Sequence, residues 1–357
     1  MKFKDQDDTI LSFVEDQHTE DHYFLQGDLE IGGIIDCNNP VHCCRFHPTG
    51  DIFAVGLSDG SIKIFKKQTT QLLYTLIDDD IKRTRLPVTS IRFFNRPNDL
   101  NQDHFKILVA TYVSGYIKYW YYPTKMCIFT ITDKELSPLT IDFNNTFTRL
   151  AIGGYDSKVK VYDVDTKKLV NVLESGDYGS STSGHSSRVY CAKYSPLESN
   201  QLFTGGWDDT IQIWDDRISN SQNFIYGPHI CGDTIDIDSN HNHLLTGSWR
   251  KTSTLQIWDM RNYSLIRDVF KDKSSMMIYG CHWLASSYIF VCGTEKNSAL
   301  IYDRGTLKSI GGLSELKNAI TCIDNDRIGD LPTLIACSQN LVYVIKKKVN
   351  TKNYSRN

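Results

Sequence analysis

The residues best suited to chemistry lie between positions 185 and 214. His185, Thr204 and Asp208 supply an imidazole, a hydroxyl and a carboxylate, the groups that hydrolases combine as base, nucleophile and orienting acid. Thr204 and Asp208, however, share one short apolar hairpin with Trp214. A hydrogen-bonded network that faces inward from such a hairpin stiffens a fold and exposes no nucleophile. The sequence therefore predicts no catalytic residue here.

The ten cysteines form no recognisable metal or redox motif. Eight occur singly and Cys43 and Cys44 are adjacent, without the Cys-x-x-Cys spacing typical of zinc sites and redox pairs. We expect free thiols in a reducing compartment. The Gly/Ser-rich segment 175–187 also lacks the lysine and following helix of a phosphate-binding loop. The sequence thus indicates no metal and no other cofactor.

The elements that carry these residues are repeated β-hairpins. In residues 202–216, apolar positions alternate on both sides of a Gly/Asp turn, which predicts a hairpin with one buried face. Related hairpins occupy residues 52–65, 150–163, 244–259 and 288–303. The first strands of seven such units begin near residues 41, 88, 139, 189, 234, 278 and 320. A chain of this length with such a repeat favours a repeat array over two unrelated domains.

This repeat resembles the WD40 repeat. The resemblance depends on the repeat length and on an aromatic-Asp pair that closes the third strand, seen in Trp214-Asp215, Trp258-Asp259, Tyr162-Asp163 and Tyr302-Asp303. Only Gly184-His185 matches the Gly-His pair that precedes a unit, so several units are degenerate. The resemblance implies an all-β, seven-bladed WD40-type β-propeller.

The strand count predicts how the ring closes. The seventh unit lacks an outer strand, whereas residues 23–31 form a strand pattern with no unit of its own. Closure protects sheet edges that an open array would expose, so we expect residues 23–31 to complete the last blade. The predicted organisation is a flexible acidic arm at 1–22, one propeller at 23–346 and a basic tail at 347–357.

The resemblance also assigns roles to individual side chains. His185, Thr204, Asp208 and Trp214 match a family relay in which these residue types are hydrogen-bonded and hold the turns of a blade. It implies a structural role for all four.

The turn that follows the second strand places an aromatic residue in three consecutive units. These residues are Tyr155, Trp207 and Trp249, and the resemblance implies that they cluster on the partner-binding face. Exposed Trp and Tyr are enriched at interaction hot spots, and Arg188 and Arg250 would be polar rims of such a surface. The alternative is that the three aromatic residues pack against neighbouring blades.

Charge and hydropathy narrow the classes of partner. The formal net charge of −3 does not favour a protein whose task is to neutralise phosphates, so nucleic acid is not expected. No segment predicts a signal peptide or a membrane span. We expect a monomeric propeller within a hetero-complex of other proteins or peptides, located in the cytoplasm, with a cytoskeletal, ciliary or nuclear site also open.

Three functions are compatible with these patterns. The favoured one is a non-enzymatic scaffold for protein–protein interactions within a multi-subunit complex. An alternative is a substrate receptor of a ubiquitin ligase, or a peptide or histone reader, that uses the same aromatic face. A rival of another class is an enzyme with a site in the central channel, but the inner strands VHCCRF, VTSIRF, LTIDFN and VYCAKY are interpreted as lacking convergent catalytic groups.

Overall fold

Short apolar stretches bounded by Gly, Asp and Asn turns form antiparallel hairpins throughout the part of the chain that the structure describes. A computed structural model describes residues 12–14, 23–96, 102–176, 184–270 and 276–348. Within these residues the strands form seven antiparallel sheets. Five of the sheets contain four strands that are consecutive in the chain, and the other two also include strands from the N-terminal part of the chain. The sheets are the blades of a β-propeller, as predicted.

Blades one to four follow the chain in order, and their innermost strand always comes first. Blade one contains Val41–Phe46, Ile52–Leu57, Ile62–Lys66 and Leu72–Leu76. Blade two contains Val88–Phe93, Ile107–Tyr112, Tyr116–Tyr121 and Met126–Thr132. Blade three contains Pro138–Phe143, Arg149–Gly154, Val159–Asp163 and Leu169–Leu173. Blade four contains Val189–Tyr194, Gln201–Gly206, Thr210–Asp215 and Asn223–Tyr226.

Blades five to seven continue the same order. Blade five contains Ile235–Asp238, His243–Gly247, Leu255–Asp259 and Leu265–Asp268. Blade six contains Ile278–Leu284, Tyr288–Gly293, Ser298–Asp303 and Ser309–Ser314. Blade seven contains Ile320–Asn325, Leu334–Ser338, Leu341–Lys347 and, from the N-terminal part of the chain, Leu29–Asp36.

Short helices occur only in connections among the described residues. The α-helix Asp79–Thr84 links blades one and two, with the Asp78 side chain accepting a hydrogen bond from the Ile81 N–H at its start. The 3₁₀ helices are Gln102–Lys106, Tyr122–Thr124 and Glu295–Asn297. None of these helices has the length and apolar character needed to cross a membrane.

The apolar core is divided among the contacts between blades. The buried apolar side chains of the described residues form seven clusters, and each cluster joins two neighbouring blades, including blade seven with blade one. The innermost strands of successive blades also contact one another around the complete ring. Each blade therefore buries its two faces only when both neighbours are present.

The ring closes through the N-terminal part of the chain, but not with the predicted strand bounds. Leu29–Asp36 pairs antiparallel with Leu341–Lys347 and supplies the fourth strand of blade seven. Tyr23–Gln26 instead pairs with the outer strand of blade six. The prediction of one closing strand at 23–31 was wrong in this respect because Gly27, at φ +81°, turns the chain between the two sheets.

The structure describes only part of the two predicted terminal segments. Ser12–Val14 forms a strand that pairs with Tyr23–Gln26, and the rest of the predicted arm at 1–22 lies outside the described residues. Of the predicted basic tail, only Lys347 and Lys348 are described, and Lys347 still belongs to the closing sheet. The flexible arm and the basic tail therefore stay predictions.

Removal of the closing strand should open the ring. A chain that begins at residue 37 lacks Leu29–Asp36 and leaves the edge of Leu341–Lys347 unpaired, so its melting temperature should fall markedly and it should aggregate. A chain that begins at residue 23 is the matched control and should keep a nearly unchanged melting temperature. Equal thermal stability of the two truncated chains, measured by circular dichroism, would contradict this role of the strand.

Candidate functional site

The structure brings the four predicted relay residues together in blade four. The Nδ1 atom of His185 lies 2.8 Å from an Asp208 carboxylate oxygen, and its Nε2 atom lies 2.7 Å from the Thr204 hydroxyl. The Trp214 indole N–H donates to the same hydroxyl at 2.7 Å. His185, Thr204 and Trp214 are buried. These contacts use both imidazole nitrogens and leave the threonine hydroxyl enclosed, so the group has no free nucleophile.

The Asp208 carboxylate is held ionised within this relay. Burial by itself would raise the pKa of Asp208, but hydrogen bonds from His185, the Ser186 N–H and the Thr210 hydroxyl hold the pKa below its usual value. Blade five keeps only part of the arrangement. The Trp258 indole donates to Thr246 at 2.9 Å, whereas His229 lies 2.8 Å from Asp209 of blade four.

A second polar network lines the central channel and was missed by the sequence interpretation. The innermost strand of each blade places an ionisable residue at the same position. In blade order these residues are Arg45, Arg92, Asp142, Lys193, Asp236, His282 and Asp324. We call them the channel ring. The interpretation that the inner strands lack convergent acids, histidines or metal ligands at equivalent positions was therefore wrong. The pattern was already present in the sequence, where Arg45, Arg92 and Lys193 each stand fifth in their inner strand.

The members of the channel ring pair with one another between blades. Arg92 donates to Asp142 at 2.9 Å, and Lys193 lies 2.9 Å from Asp236. Arg45 donates to Asp324 at 3.3 Å. Each cation is thus matched by a carboxylate from an adjacent blade, so the ring links blades through opposite charges.

The same carboxylates also accept backbone hydrogen bonds from the next blade. Asp142 accepts from the Tyr194 N–H at 2.9 Å, and Asp236 accepts from the Trp283 N–H at 2.9 Å. Asp324 accepts from the Phe46 N–H at 2.7 Å, which crosses the closure between blades seven and one. Because both kinds of contact satisfy these oxygens, the ring carboxylates are poorly placed to act as free bases.

Neighbouring cations keep two of the channel carboxylates, Asp236 and Asp233, ionised. Burial would raise the pKa of Asp236, but Lys193 and His282 hold it far below its usual value. Burial likewise opposes ionisation of Asp233, which nevertheless has a depressed pKa because Arg45 and other cations surround it. Arg45 also forms an ion pair with Asp233. The channel therefore contains opposite charges that compensate one another.

Above this ring the channel widens into a cavity of about 400 Å³. Its lining includes residues near the start of the inner strands, among them Tyr190 and Tyr279, together with Arg45 and Asp233. We call the side of the propeller on which this cavity opens the top face. A cavity of this size could hold a small ligand or one side chain of a partner.

The predicted aromatic residues lie on the top face in blades three, four and five, beside this cavity but outside its lining. The backbone N–H groups of Tyr155, Trp207 and Trp249 donate to carbonyl groups just ahead of the inner strand in their own blades, at 3.0, 3.1 and 2.8 Å. These bonds fix each aromatic residue at the top face. Their side chains are 55%, 39% and 37% exposed, so all three remain accessible even though they also contact neighbours.

Stacking connects the exposed rings to the cavity wall. Trp207 stacks on Tyr190 with ring centroids 5.3 Å apart and on His229 at 6.0 Å. Trp249 contacts Tyr279 at 6.4 Å. The predicted surface and the alternative of packing between blades therefore both describe part of the arrangement, because each Trp contacts neighbouring side chains and is also partly exposed.

Arg188 lies at the centre of the predicted surface. Its guanidinium carbon is 3.9 Å from the centroid of the Tyr155 ring and 4.8 Å from that of Trp207. It donates a hydrogen bond to the Tyr155 hydroxyl, and hydrogen bonding to Tyr190 and Tyr155 holds the pKa of Arg188 above its usual value. The structure thus joins Tyr155, Arg188 and Trp207 into one cationic aromatic group.

Arg250 lies beside Trp249 but is not part of that group. It is only partly exposed, and among the described residues its buried Nε–H has no hydrogen-bond acceptor. The predicted polar rim is therefore asymmetric, with Arg188 between two aromatic rings and Arg250 in the enlarged turn of blade five.

Comparisons with known proteins give the same repeat. The model of the family described as WD domain, G-beta repeat, matches residues 31–66 and 176–215. The second of these segments contains the relay residues His185, Thr204, Asp208 and Trp214. The matched segments correspond to blade four and to the region where the ring closes on blade one.

Three curated relatives illustrate the breadth of similar proteins. A ribosome biogenesis protein WDR12 homolog of Brugia malayi is 26% identical over 172 residues, which are 43% of this chain and 37% of the relative. A WD repeat-containing protein 55 homolog of Dictyostelium discoideum is 24% identical over 309 residues, 84% of this chain and 58% of the relative. The diphthine methyltransferase of Schizosaccharomyces pombe is 23% identical over 192 residues, 51% of this chain and 54% of the relative. The chain thus spans between 37% and 58% of these relatives.

Loss of the Asp208 carboxylate should destabilise blade four. The variant Asp208→Ala leaves His185 and the Ser186 N–H without their acceptor, so the free energy of unfolding should fall by about 1.5–3 kcal/mol for each lost charged hydrogen bond. Urea denaturation followed by tryptophan fluorescence measures this change. Glu198→Ala, at an exposed carboxylate, is the control, and an equally small effect of both substitutions would argue against the relay as a source of stability.

The channel ring should make stability depend on acid pH. Because the pKa of Asp236 is depressed in the folded chain, its stabilisation is fully present above the ordinary carboxyl pKa of about 3.9 and is lost as the pH falls toward the folded-state value. Asp236→Asn should lower the free energy of unfolding at neutral pH and make its decline between about pH 5 and pH 2 less steep. Chemical denaturation across this range tests both effects. Asp79→Asn, at an exposed carboxylate, should keep the wild-type pH profile, and a wild-type profile for Asp236→Asn would refute the prediction.

Proposed function

Because the chain carries WD40 repeats and folds as a seven-bladed β-propeller, we propose that it is a non-enzymatic scaffold within a larger protein complex. Its top face is the proposed binding surface for other proteins or peptides. The observation that carries this proposal is the group formed by Tyr155, Arg188 and Trp207, which is fixed by the turns of the propeller and is open to solvent.

The physical properties of this group suit a protein partner. Rigid, half-exposed aromatic side chains provide contact area at a small entropic cost, and Trp, Tyr and Arg are the residue types most enriched at binding hot spots. The guanidinium of Arg188 carries more N–H donors than the two tyrosine hydroxyls use. A carbonyl or carboxylate of the partner could accept those remaining hydrogen bonds while an apolar side chain enters the channel cavity.

The reader alternative is less well supported by the same geometry. Recognition of a methylated lysine requires an open cage of aromatic rings. Between Tyr155 and Trp207 that space is occupied by the chain's own Arg188. A peptide that contacts the outer sides of the rings fits this surface better than a quaternary ammonium group that would have to displace the arginine.

The enzymatic alternative rests on the channel cavity and on the similarity to a protein named diphthine methyltransferase. The ionisable groups below the cavity favour scaffolding instead, because the ring carboxylates are engaged in ion pairs and backbone hydrogen bonds. All ten cysteines are free thiols, which fits a reducing compartment such as the cytosol or nucleus. We place the scaffold there, as a single propeller in a complex of different subunits.

Loss of the two top-face tryptophans should abolish partner binding without unfolding the propeller. In Trp207→Ala/Trp249→Ala, truncation of hot-spot residues should weaken binding by about 2 kcal/mol or more, a loss of at least roughly 30-fold. Affinity purification with quantitative mass spectrometry should then show a set of proteins that the wild-type chain retains and the variant loses. The melting temperature should stay nearly unchanged.

The matched control removes exposed aromatic side chains at the outer edges of two blades. Phe129 and Tyr226 are 43% and 72% exposed, and both lie on outer strands away from the cavity. The variant Phe129→Ala/Tyr226→Ala should retain the same proteins as the wild-type chain. Retention of every partner by the tryptophan variant, or loss only in the outer-edge variant, would refute the top face as the binding surface.

A further inference from the structure

Three cysteines that are far apart in the sequence converge where the propeller closes. The Sγ atoms of Cys44, Cys322 and Cys337 all lie within 4.8 Å of one another. Cys44 belongs to the innermost strand of blade one, and the other two belong to the first two strands of blade seven. Cys322 and Cys337 face each other across those strands. The three thiols therefore come from three strands and span the contact between the first and last blades.

We propose that Cys44, Cys322 and Cys337 form a thiolate site for a soft d¹⁰ metal ion, Zn²⁺ or Cu⁺. Thiolate ligands select these ions over the hard cations that prefer oxygen. Tetrahedral zinc with bonds of about 2.3 Å separates its sulfur ligands by about 3.8 Å. The largest separation here would therefore need to shorten by about 1 Å, which small rotations of the cysteine side chains can provide.

The surroundings of the cluster provide an entry path. Cys44 and Cys337 are buried, whereas Cys322 is partly exposed. Cys322 and Cys44 also line the channel cavity, together with Cys43. An ion could therefore reach the cluster from the top face, and a water molecule or a further thiol could complete its coordination. Access of this kind is a requirement for a working metal site in a folded protein.

The charge balance also permits a metal ion. Three thiolates with one Zn²⁺ leave a net negative charge, and with Cu⁺ they leave a larger one. Arg45 lies directly after Cys44 in the same strand and lines the same cavity. Its guanidinium already forms ion pairs with Asp233 and Asp324, so water and counterions that reach the partly exposed Cys322 from the cavity would compensate the excess negative charge.

Metal binding at this position would act on ring closure. The ligands belong to blades one and seven and to the apolar cluster that joins these blades, close to the contact of Asp324 with the Phe46 N–H. An ion bound to all three cysteines would add a covalent-like link at this junction. An ion that binds only the folded chain stabilises it by RT ln(1 + c/Kd), where c is the free metal concentration, so the melting temperature should rise with metal concentration.

The test uses the full chain, reduced with a phosphine and freed of metal by dialysis. Co²⁺ serves as a spectroscopic probe of thiolate coordination, Zn²⁺ displaces it, and Cu⁺ is offered anaerobically from a chromophoric chelator. We expect one ion per chain by native mass spectrometry, a sulfur-to-cobalt charge-transfer band, and a higher melting temperature with Zn²⁺ or Cu⁺. Whichever of these two ions binds in competition with the chelator identifies the preferred metal.

Two serine variants distinguish this site from other thiols. Cys322→Ser changes a partly exposed ligand and should lose the charge-transfer band and the metal-dependent rise in melting temperature. Cys231→Ser is the matched control, because Cys231 lines the same cavity but lies outside the cluster, and it should behave like the wild-type chain. If Cys322→Ser fails to fold, native mass spectrometry of the wild-type and Cys231→Ser chains still tests the stoichiometry.

Three results would overturn the proposal. The first is the absence of a bound ion in the reduced wild-type chain at concentrations that saturate ordinary thiolate sites. The second is equal metal binding by folded Cys322→Ser and wild-type chains. The third is a disulfide between two of the three cysteines in the chain purified without reductant, together with no metal binding after reduction, which would assign the cluster a redox role instead.

Discussion

A carboxylate on an innermost strand that accepts a backbone N–H from the following blade is the contact on which the propeller most depends. It occurs between blades three and four, five and six, and seven and one, through Asp142, Asp236 and Asp324. Each of these carboxylates is also paired with a cation from an adjacent blade. Burial of such charges is costly unless they are paired and hydrogen-bonded. The channel ring satisfies both requirements only when the blades are in their native order.

This constraint explains why the rest of the molecule is organised around closure. The apolar clusters lie between blades, so no blade has a complete core of its own. The N-terminal strand Leu29–Asp36 then completes blade seven by pairing with Leu341–Lys347. The three-cysteine cluster lies at the same junction between blades one and seven. Apolar packing, strand pairing and the channel ring therefore all act on one closing contact.

The top face follows from the same architecture. Because hydrogen bonds to the segment ahead of the inner strand fix the turns of blades three, four and five, Tyr155, Trp207 and Trp249 are held beside the channel mouth. Tyr190 and Tyr279 continue these aromatic contacts into the cavity wall. Polar groups of the channel ring hold adjacent blades together, whereas the accessible aromatic groups lie where a partner could reach them.

The sequence by itself determined the features that depend on local pattern. Alternating apolar residues, turn residues and the aromatic-Asp pairs predicted seven four-stranded units and the positions of His185, Thr204, Asp208 and Trp214. These features are local because a hairpin of one blade spans few residues. The position of the closing strand was less predictable, since one glycine at position 27 decides where the chain leaves blade six.

Only the tertiary structure decided which distant residues meet. Arg45 pairs with Asp324, Arg188 lies between Tyr155 and Trp207, and Cys44 meets Cys322 and Cys337. The physical reason is that each blade's position relative to its neighbours is set by packing around the complete ring. Closure of the ring therefore fixes contacts between residues hundreds of positions apart, and no local sequence pattern predicts those contacts.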